Sequence, residues 1–115
     1  MKKVILDTSF ILTCVRQKID FVDDIKLLGL VVLVPEEVVV EIGGLAKSKL
    51  EAEVALKIVS KLKKIKLGGK NVDAGIAKYA KLNSDVVVAT LDREIKKSVG
   101  NKKLIIKGKR RLEIV

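Results

Sequence analysis

The sequence contains no histidine, one cysteine (Cys14), one proline (Pro35) and no tryptophan, with a single tyrosine and two phenylalanines among 115 residues. Without histidine there can be no Ser-His-Asp or Cys-His catalysis, no imidazole general base and no His-containing zinc site. One cysteine rules out a thiolate metal cluster and an internal disulfide, which fits a reducing cytoplasm. Cys14 reads as a small core residue. Any metal would have to be held by oxygen, which favours Mg²⁺ or Mn²⁺ over zinc or copper. Aromatic content of 3% leaves Val, Ile, Leu and Ala to build the core. It also argues against a base-stacking platform. No apolar run approaches the ~20 residues needed to span a membrane. Asp7 interrupts the apolar start too early for a signal peptide, so the expected location is cytoplasmic and away from membranes.

What is present is apolar and basic. Hydrophobic residues make up 49%, and the formal net charge is +10. A chain of this length forms one domain, residues 1–115, and buries roughly two thirds of the surface its unfolded chain exposes. The charge is uneven. Residues 1–56 carry seven Lys/Arg against nine Asp/Glu, residues 57–92 eight against three, and residues 93–115 nine against two. A basic second half suggests a polyanionic partner; the plainer alternative is a surface of solvated lysines.

Apolar runs at residues 4–6, 30–34, 86–90 and 104–106 read as buried strands, with a further short strand expected at 65–67. Between them, helical spacing marks segments 10–16, 20–28 (capped by Asp20, stopped by Gly29), 48–64, one beginning near Val72, and 93–99. Pro35 suits the first position of a helix that carries Glu36, Glu37 and Glu41 and ends at Gly43-Gly44. Leu50, Val54, Ile58 and Leu62 form the apolar stripe expected of the 48–64 helix. Residues 111–115 either extend a sheet edge or are loose. Alternating strands and helices imply a three-layer α/β/α fold with a mostly parallel sheet.

Within this frame four acids occupy comparable stations. Asp7 follows the first strand, Glu41 lies on the helix after the second, Asp73 opens a later helix, and Asp92 follows the 86–90 strand. Their intervals of 34, 32 and 19 residues each approximate one crossover unit. Ligands of open α/β sheets bind at the carboxyl ends of the strands, so all four can meet on one edge. Each also has a plain structural use, as a helix cap or a solvated side chain. Clustered carboxylates repel one another, and a divalent cation is what makes such a cluster tolerable.

The segments VILDTSF, VPEEVVVEI, VDAGIAKYA and VVVATLDREI, in that order, resemble the four acidic motifs of the PIN-domain nucleases. The likeness is to small archaeal proteins related to ribosomal-RNA-processing PIN nucleases and, next, to VapC-type toxins. The resemblance implies a five-stranded parallel sheet of order 3-2-1-4-5 and Mg²⁺- or Mn²⁺-dependent endoribonuclease activity on single-stranded RNA. It further implies Asp7, Glu41, Asp73 and Asp92 as catalytic metal-binding acids and Ser9 and Thr90 as supporting hydroxyls. Val72 stands where some relatives carry an additional acid. Lys107, Lys109, Arg110 and Arg111, just beyond the last strand, are the expected RNA-binding cations.

Other readings are less well served by the residues. A haloacid-dehalogenase-type phosphatase needs a second Asp two positions after the first, and Ser9 stands there. A receiver domain wants acids ahead of Asp7. A non-catalytic PIN scaffold that binds RNA is the alternative from another class. Besides RNA, the partners to consider are a second copy of the chain, an antitoxin and a ribosome-assembly factor.

Overall fold

A computed structural model describes residues 2–69 and 71–115. Five parallel strands run in the order β3-β2-β1-β4-β5: β1 (Lys3–Leu6), β2 (Val31–Pro35), β3 (Lys63–Ile65), β4 (Val87–Ala89) and β5 (Lys103–Lys107). A sixth strand, β6 (Arg111–Ile114), pairs antiparallel with β5 and forms the edge. The five-strand order is the expected one, and 111–114 resolves as an added edge strand. The turn between β5 and β6 places Gly108 and Lys109 at positive φ, 62° and 63°. Two adjacent residues with positive φ give the hairpin a twist that matches its strands.

β1, β2 and β4 are buried on both faces, so residues next to one another in sequence feed opposite cores. Val4 and Leu6 pack into one cluster and Ile5 into the other; Val87 and Ala89 face one way and Val88 the other. The larger core is covered by α1 (Thr8–Arg16), α2 (Phe21–Leu27), α3 (Glu36–Leu45) and α4 (Leu50–Val59). The smaller one lies beneath α5 (Val72–Leu82) and α6 (Arg93–Ser98). The result is the three-layer α/β/α arrangement. No helix among the described residues is long and apolar enough to cross a membrane.

Three local expectations are corrected. α3 does not stop at Gly43-Gly44 but continues to Leu45, with Pro35 closing β2 and preceding the helix. Leu45 packs against the larger core, and burying that side chain offsets the conformational cost of two helical glycines. The 48–64 segment splits, with α4 ending at Val59 and β3 already formed by Lys63. Lastly, α4 buries Ala52, Ala55 and Val59, whereas Leu50 is 76% exposed and Val54 42%. Small side chains let α4 lie close on α1 and α3, its main helical neighbours.

Candidate active site

β1 delivers Asp7 to the carboxyl edge of the sheet, where the chain turns into α1. The Asp7 backbone N–H still donates to Ala89 O of β4, at 3.0 Å, so the residue is fixed against its neighbouring strand. Its side chain caps α1: Thr8 N donates to Oδ1 at 2.8 Å. Oδ2 accepts from Thr90 Oγ1 at 2.9 Å and from Ser9 Oγ at 3.4 Å. Thr90 is wholly buried at the end of β4, and its hydroxyl oxygen also accepts from Asp92 N at 3.0 Å. Asp92 in turn caps α6, Oδ1 accepting from Glu94 N and Ile95 N. Thus Asp7, Ser9, Thr90 and Asp92 form one hydrogen-bonded strip across the β1–β4 junction, where the sheet's strand order reverses.

Glu41 reaches the same place from α3 and Asp73 from the first turn of α5. With Asp7, Thr8, Ser9, Leu12, Leu91 and Asp92 they line an open cleft of about 460 Å³. The four acids expected to meet are therefore in one cleft. A larger hollow, of about 740 Å³, lies between the 18–26 region and α4. It has an apolar floor rimmed by lysines and contains none of these acids.

Burial first, and then like charge, shows in the carboxyls. Asp7, only 5% exposed, is pushed above its ordinary pKa first by burial, against which the Thr90 and Thr8 hydrogen bonds act, and then by the charges of Glu41 and Asp92. Asp73 is also raised, by partial desolvation first and then by the charges of Asp7 and Asp92.

An all-oxygen donor set suits a hard divalent cation, and the neighbouring carboxylates that add to the rise at Asp7 and Asp73 are negative charge that such an ion would neutralise. Thr8 Oγ1, on a residue lining the cleft, is buried with no hydrogen-bond partner. The residues fit the ion by chemistry and charge. Among the described residues, however, no three potential ligands are gathered as a ready-made ion-binding set. Asp92 Oδ1 is engaged in capping, and like charges stand apart when nothing lies between them.

The expected RNA-binding cations stand at the same edge of the sheet, outside the cleft lining. β5 pairs Leu104 with Ala89, so Lys107 is three residues, about 10 Å, farther along. The β5–β6 turn projects beyond the carboxyl edge, and none of Lys107, Lys109, Arg110 and Arg111 lines the acidic cleft. Lys107 pairs with Glu113 across the hairpin at 3.5 Å.

Two residues gain a place that their sequence positions did not suggest. One is Thr8. The other is Glu37, expected only to favour the α3 dipole. Its carboxylate accepts from Leu67 N (3.2 Å to both oxygens) and from Gly68 N (3.0 Å). A pairing across thirty residues of chain leaves no local signal.

Comparison with known proteins agrees with this architecture. The family model described as "PIN like domain" matches residues 4–111. The chain belongs to this family. Among curated proteins, this PIN-like domain is 29% identical over 109 residues to Ribonuclease VapC4 of Methanocaldococcus jannaschii, covering 86% of this chain and 83% of that protein. Among solved structures it is similar to the PIN domain endonuclease Utp24, with a TM-score of 0.80 at 24% identity over 98% of this chain and 92% of that one. A chain of the DNA-bound VapBC2 complex from Rickettsia felis gives a TM-score of 0.64 at 18% identity, over 88% and 98% of the two chains. At these identities, the structural likenesses speak to the fold of this PIN-like domain.

Proposed function

We propose that this PIN-like domain is an endoribonuclease that hydrolyses phosphodiester bonds of single-stranded RNA, using Mg²⁺ or Mn²⁺ held by Asp7, Glu41, Asp73 and Asp92. The observation that carries this reading is the convergence of four acids from four separate elements in one open cleft at the β1–β4 junction. A bound divalent cation would supply an acidified water and charge neutralisation at the phosphate. The chain's own contribution is to hold the acids. Thr8 N and Thr90 fix Asp7, Thr90 also anchors the backbone of Asp92, and Ser9 adds a hydroxyl beside Asp7. With no histidine in the chain, no imidazole base takes part. Water rather than the RNA 2′-hydroxyl is the nucleophile in this reading, so the products carry a 5′-phosphate and a 3′-hydroxyl.

The biological role we favour is RNA processing or ribosome maturation. A toxin paired with an antitoxin is the second reading, supported by the likeness to Ribonuclease VapC4. The adjacent gene separates them: a small DNA-binding antitoxin on one side, ribosome or translation genes on the other. The activity itself is tested by incubating unstructured RNA with wild-type protein and Asp7→Asn, with and without Mn²⁺. Cleavage that needs both Asp7 and the ion supports the proposal, and cleavage by Asp7→Asn at the wild-type rate overturns it.

A further inference from the structure

The four acids of the cleft are not equally well secured. Asp7 and Asp92 are joined through Thr90. Glu41 and Asp73 stand on α3 and α5, helices whose main helical partners are other elements: α4 for α3, and α6 for α5. The segment leading into α5 includes Gly68 and Gly69, both at positive φ (77° and 81°). Consecutive glycines of that kind bring no side chain of their own to fix the connection, although Asn71 caps α5 itself by accepting from Ala74 N.

Two contacts tighten this connection, and both involve Leu67. The Glu37 carboxylate takes the backbone N–H groups of Leu67 and Gly68. Glu37 lies one helical turn before Glu41, so the two share a face of α3. On its other side Leu67 rests against α5 at Gly75. A Cβ placed on Gly75 would lie 3.1 Å from Leu67 Cβ and 3.2 Å from its Cδ1. Gly75 is two residues past Asp73. Glu37, Glu41, Gly69 and Val72 also border a common hollow. The connection therefore runs from Glu41 along α3 to Glu37, by contact through Leu67 to Gly75, and along α5 to Asp73.

We propose that Glu37 is a positioning residue, which by clamping Leu67 and Gly68 between α3 and the bare face of Gly75 sets Glu41 and Asp73 at the spacing the ion-binding cleft needs. This inference rests on the nuclease reading. It goes beyond it by assigning a role to a carboxylate outside the cleft and to one glycine. Glu37 does not touch the ion or the RNA; it acts through the two acids. A charge at the start of α3 would serve the helix dipole equally well from Glu36; among the described residues, the carboxylate that takes the Leu67 and Gly68 N–H groups is that of Glu37.

The test pairs each variant with a control on the same helix or of the same kind. Glu37→Ala is compared with Glu36→Ala, which removes the same charge from the first turn of α3. Gly75→Ala is compared with Gly44→Ala, where an added Cβ meets nothing within 4 Å. Mn²⁺ affinity is read by water-proton relaxation, RNA cleavage is followed against Mn²⁺ concentration, and amide hydrogen exchange is measured at Leu67 and Gly68. Glu37→Ala and Gly75→Ala are expected to weaken Mn²⁺ binding about tenfold, as losses of residues that orient metal ligands do. The rate at saturating Mn²⁺ should fall far less than the affinity does. Glu37→Ala should also speed exchange at both amides, and the controls should behave as wild type. Helix propensity favours Ala over Gly and the 3.1 Å approach to Leu67 opposes it, so melting temperature is read beside Mn²⁺ affinity; the Mn²⁺ requirement is expected to rise whichever way the melting temperature moves.

The clamp is overturned if wild-type protein binds Mn²⁺ and the two variants bind it equally well, or if Glu36→Ala matches Glu37→Ala. It is also overturned if amide exchange at Leu67 and Gly68 ignores Glu37. A wild-type protein that neither binds Mn²⁺ nor cleaves RNA with it overturns the nuclease reading, and the clamp's role with it.

Discussion

Thr90 Oγ1 donates to Asp7 Oδ2 at 2.9 Å, and the same oxygen accepts the backbone N–H of Asp92 at 3.0 Å. One buried hydroxyl thereby links the acid that follows β1 to the acid that follows β4. The link favours ionised Asp7, because a carboxylate accepts a donated hydrogen bond.

Thr90→Val keeps the shape of the side chain and removes this link. Asp7 is expected to move still higher in pKa, and the Asp92 N–H loses its partner. A loss of about 1–3 kcal/mol in unfolding free energy fits a group left unpaired in a buried setting. Thr90→Ser should stay close to wild type. Denaturant melts, with carboxyl chemical shifts followed through a pH titration, check both effects. A melt unchanged by Thr90→Val would mean that the bond contributes nothing.

Asp7 and Asp73 set a pH dependence whose sign follows from their raised values. Between the ordinary 3.8 and the raised folded values, the native state holds more protons than the unfolded chain. Their contribution is therefore stabilising on the acid side and is lost as pH rises through the folded pKa. Metal-free Asp7→Asn should be more stable than wild type at neutral pH, with that advantage shrinking as the solution is acidified. Melting temperatures across a pH series, with chelator present, decide this. Equal melting temperatures at every pH would show that the carboxylates do not strain the fold.

Divalent ions should reverse that strain. Mn²⁺ at a hundred times its dissociation constant adds about 2.7 kcal/mol by mass action, and the wild-type melting temperature should rise accordingly. Asp7→Asn should show a blunted rise. A wild-type melting curve indifferent to Mn²⁺ and Mg²⁺ would count against a metal site.

The buried face of α4 makes a contrast that ordinary melts can read. Ala55→Leu inserts a large side chain into the packing of α4 against α1 and α3 and is expected to cost about 1–3 kcal/mol. Leu50→Ala removes an exposed side chain and should change stability by no more than about 0.5 kcal/mol. The opposite ranking would return the apolar stripe to the core.

The β5–β6 hairpin is tested by salt. Replacing Lys107, Lys109, Arg110 and Arg111 with Ser or Gln should flatten the salt dependence of RNA binding by roughly two units, at about 0.7 per phosphate contact. Three contacts would account for that, in keeping with Lys107 being paired to Glu113. Affinity should fall alike for all sequences, since phosphate contacts do not read bases. If slope and affinity survive, the RNA path is to be sought along Lys57, Lys61, Lys63, Lys64 and Lys66.

The parts of this molecule that sequence alone made legible share a physical cause. β1, β2 and β4 are buried on both faces, so their residues must be apolar throughout, and an acid following such a run stands out. Asp7 and Asp92 were found in that way. Glu41 and Asp73 needed the order of the motifs as well, since a carboxylate on a helix surface is unremarkable alone. What was missed depended on contacts distant in sequence. The stripe of Leu50 and Val54 follows bulk, while α4 packs by closeness through Ala52 and Ala55. The Gly43-Gly44 pair is a stop signal that the burial of Leu45 overrides. Glu37 finds its partners thirty residues away.

If Asp7 serves the proposed nuclease, its capping bond from Thr8 N gives this carboxylate two employments at once. A mutational route to an inactive protein through this position also removes the start of α1, unless the replacement can still accept that bond. Relatives that have abandoned RNA cleavage can therefore keep an aspartate here for the sake of folding. Its presence in another member of the family is evidence about architecture before it is evidence about chemistry. Under the proposed function, Glu41, which caps no helix among the described residues, is the more telling residue to examine when deciding whether a given relative still cuts.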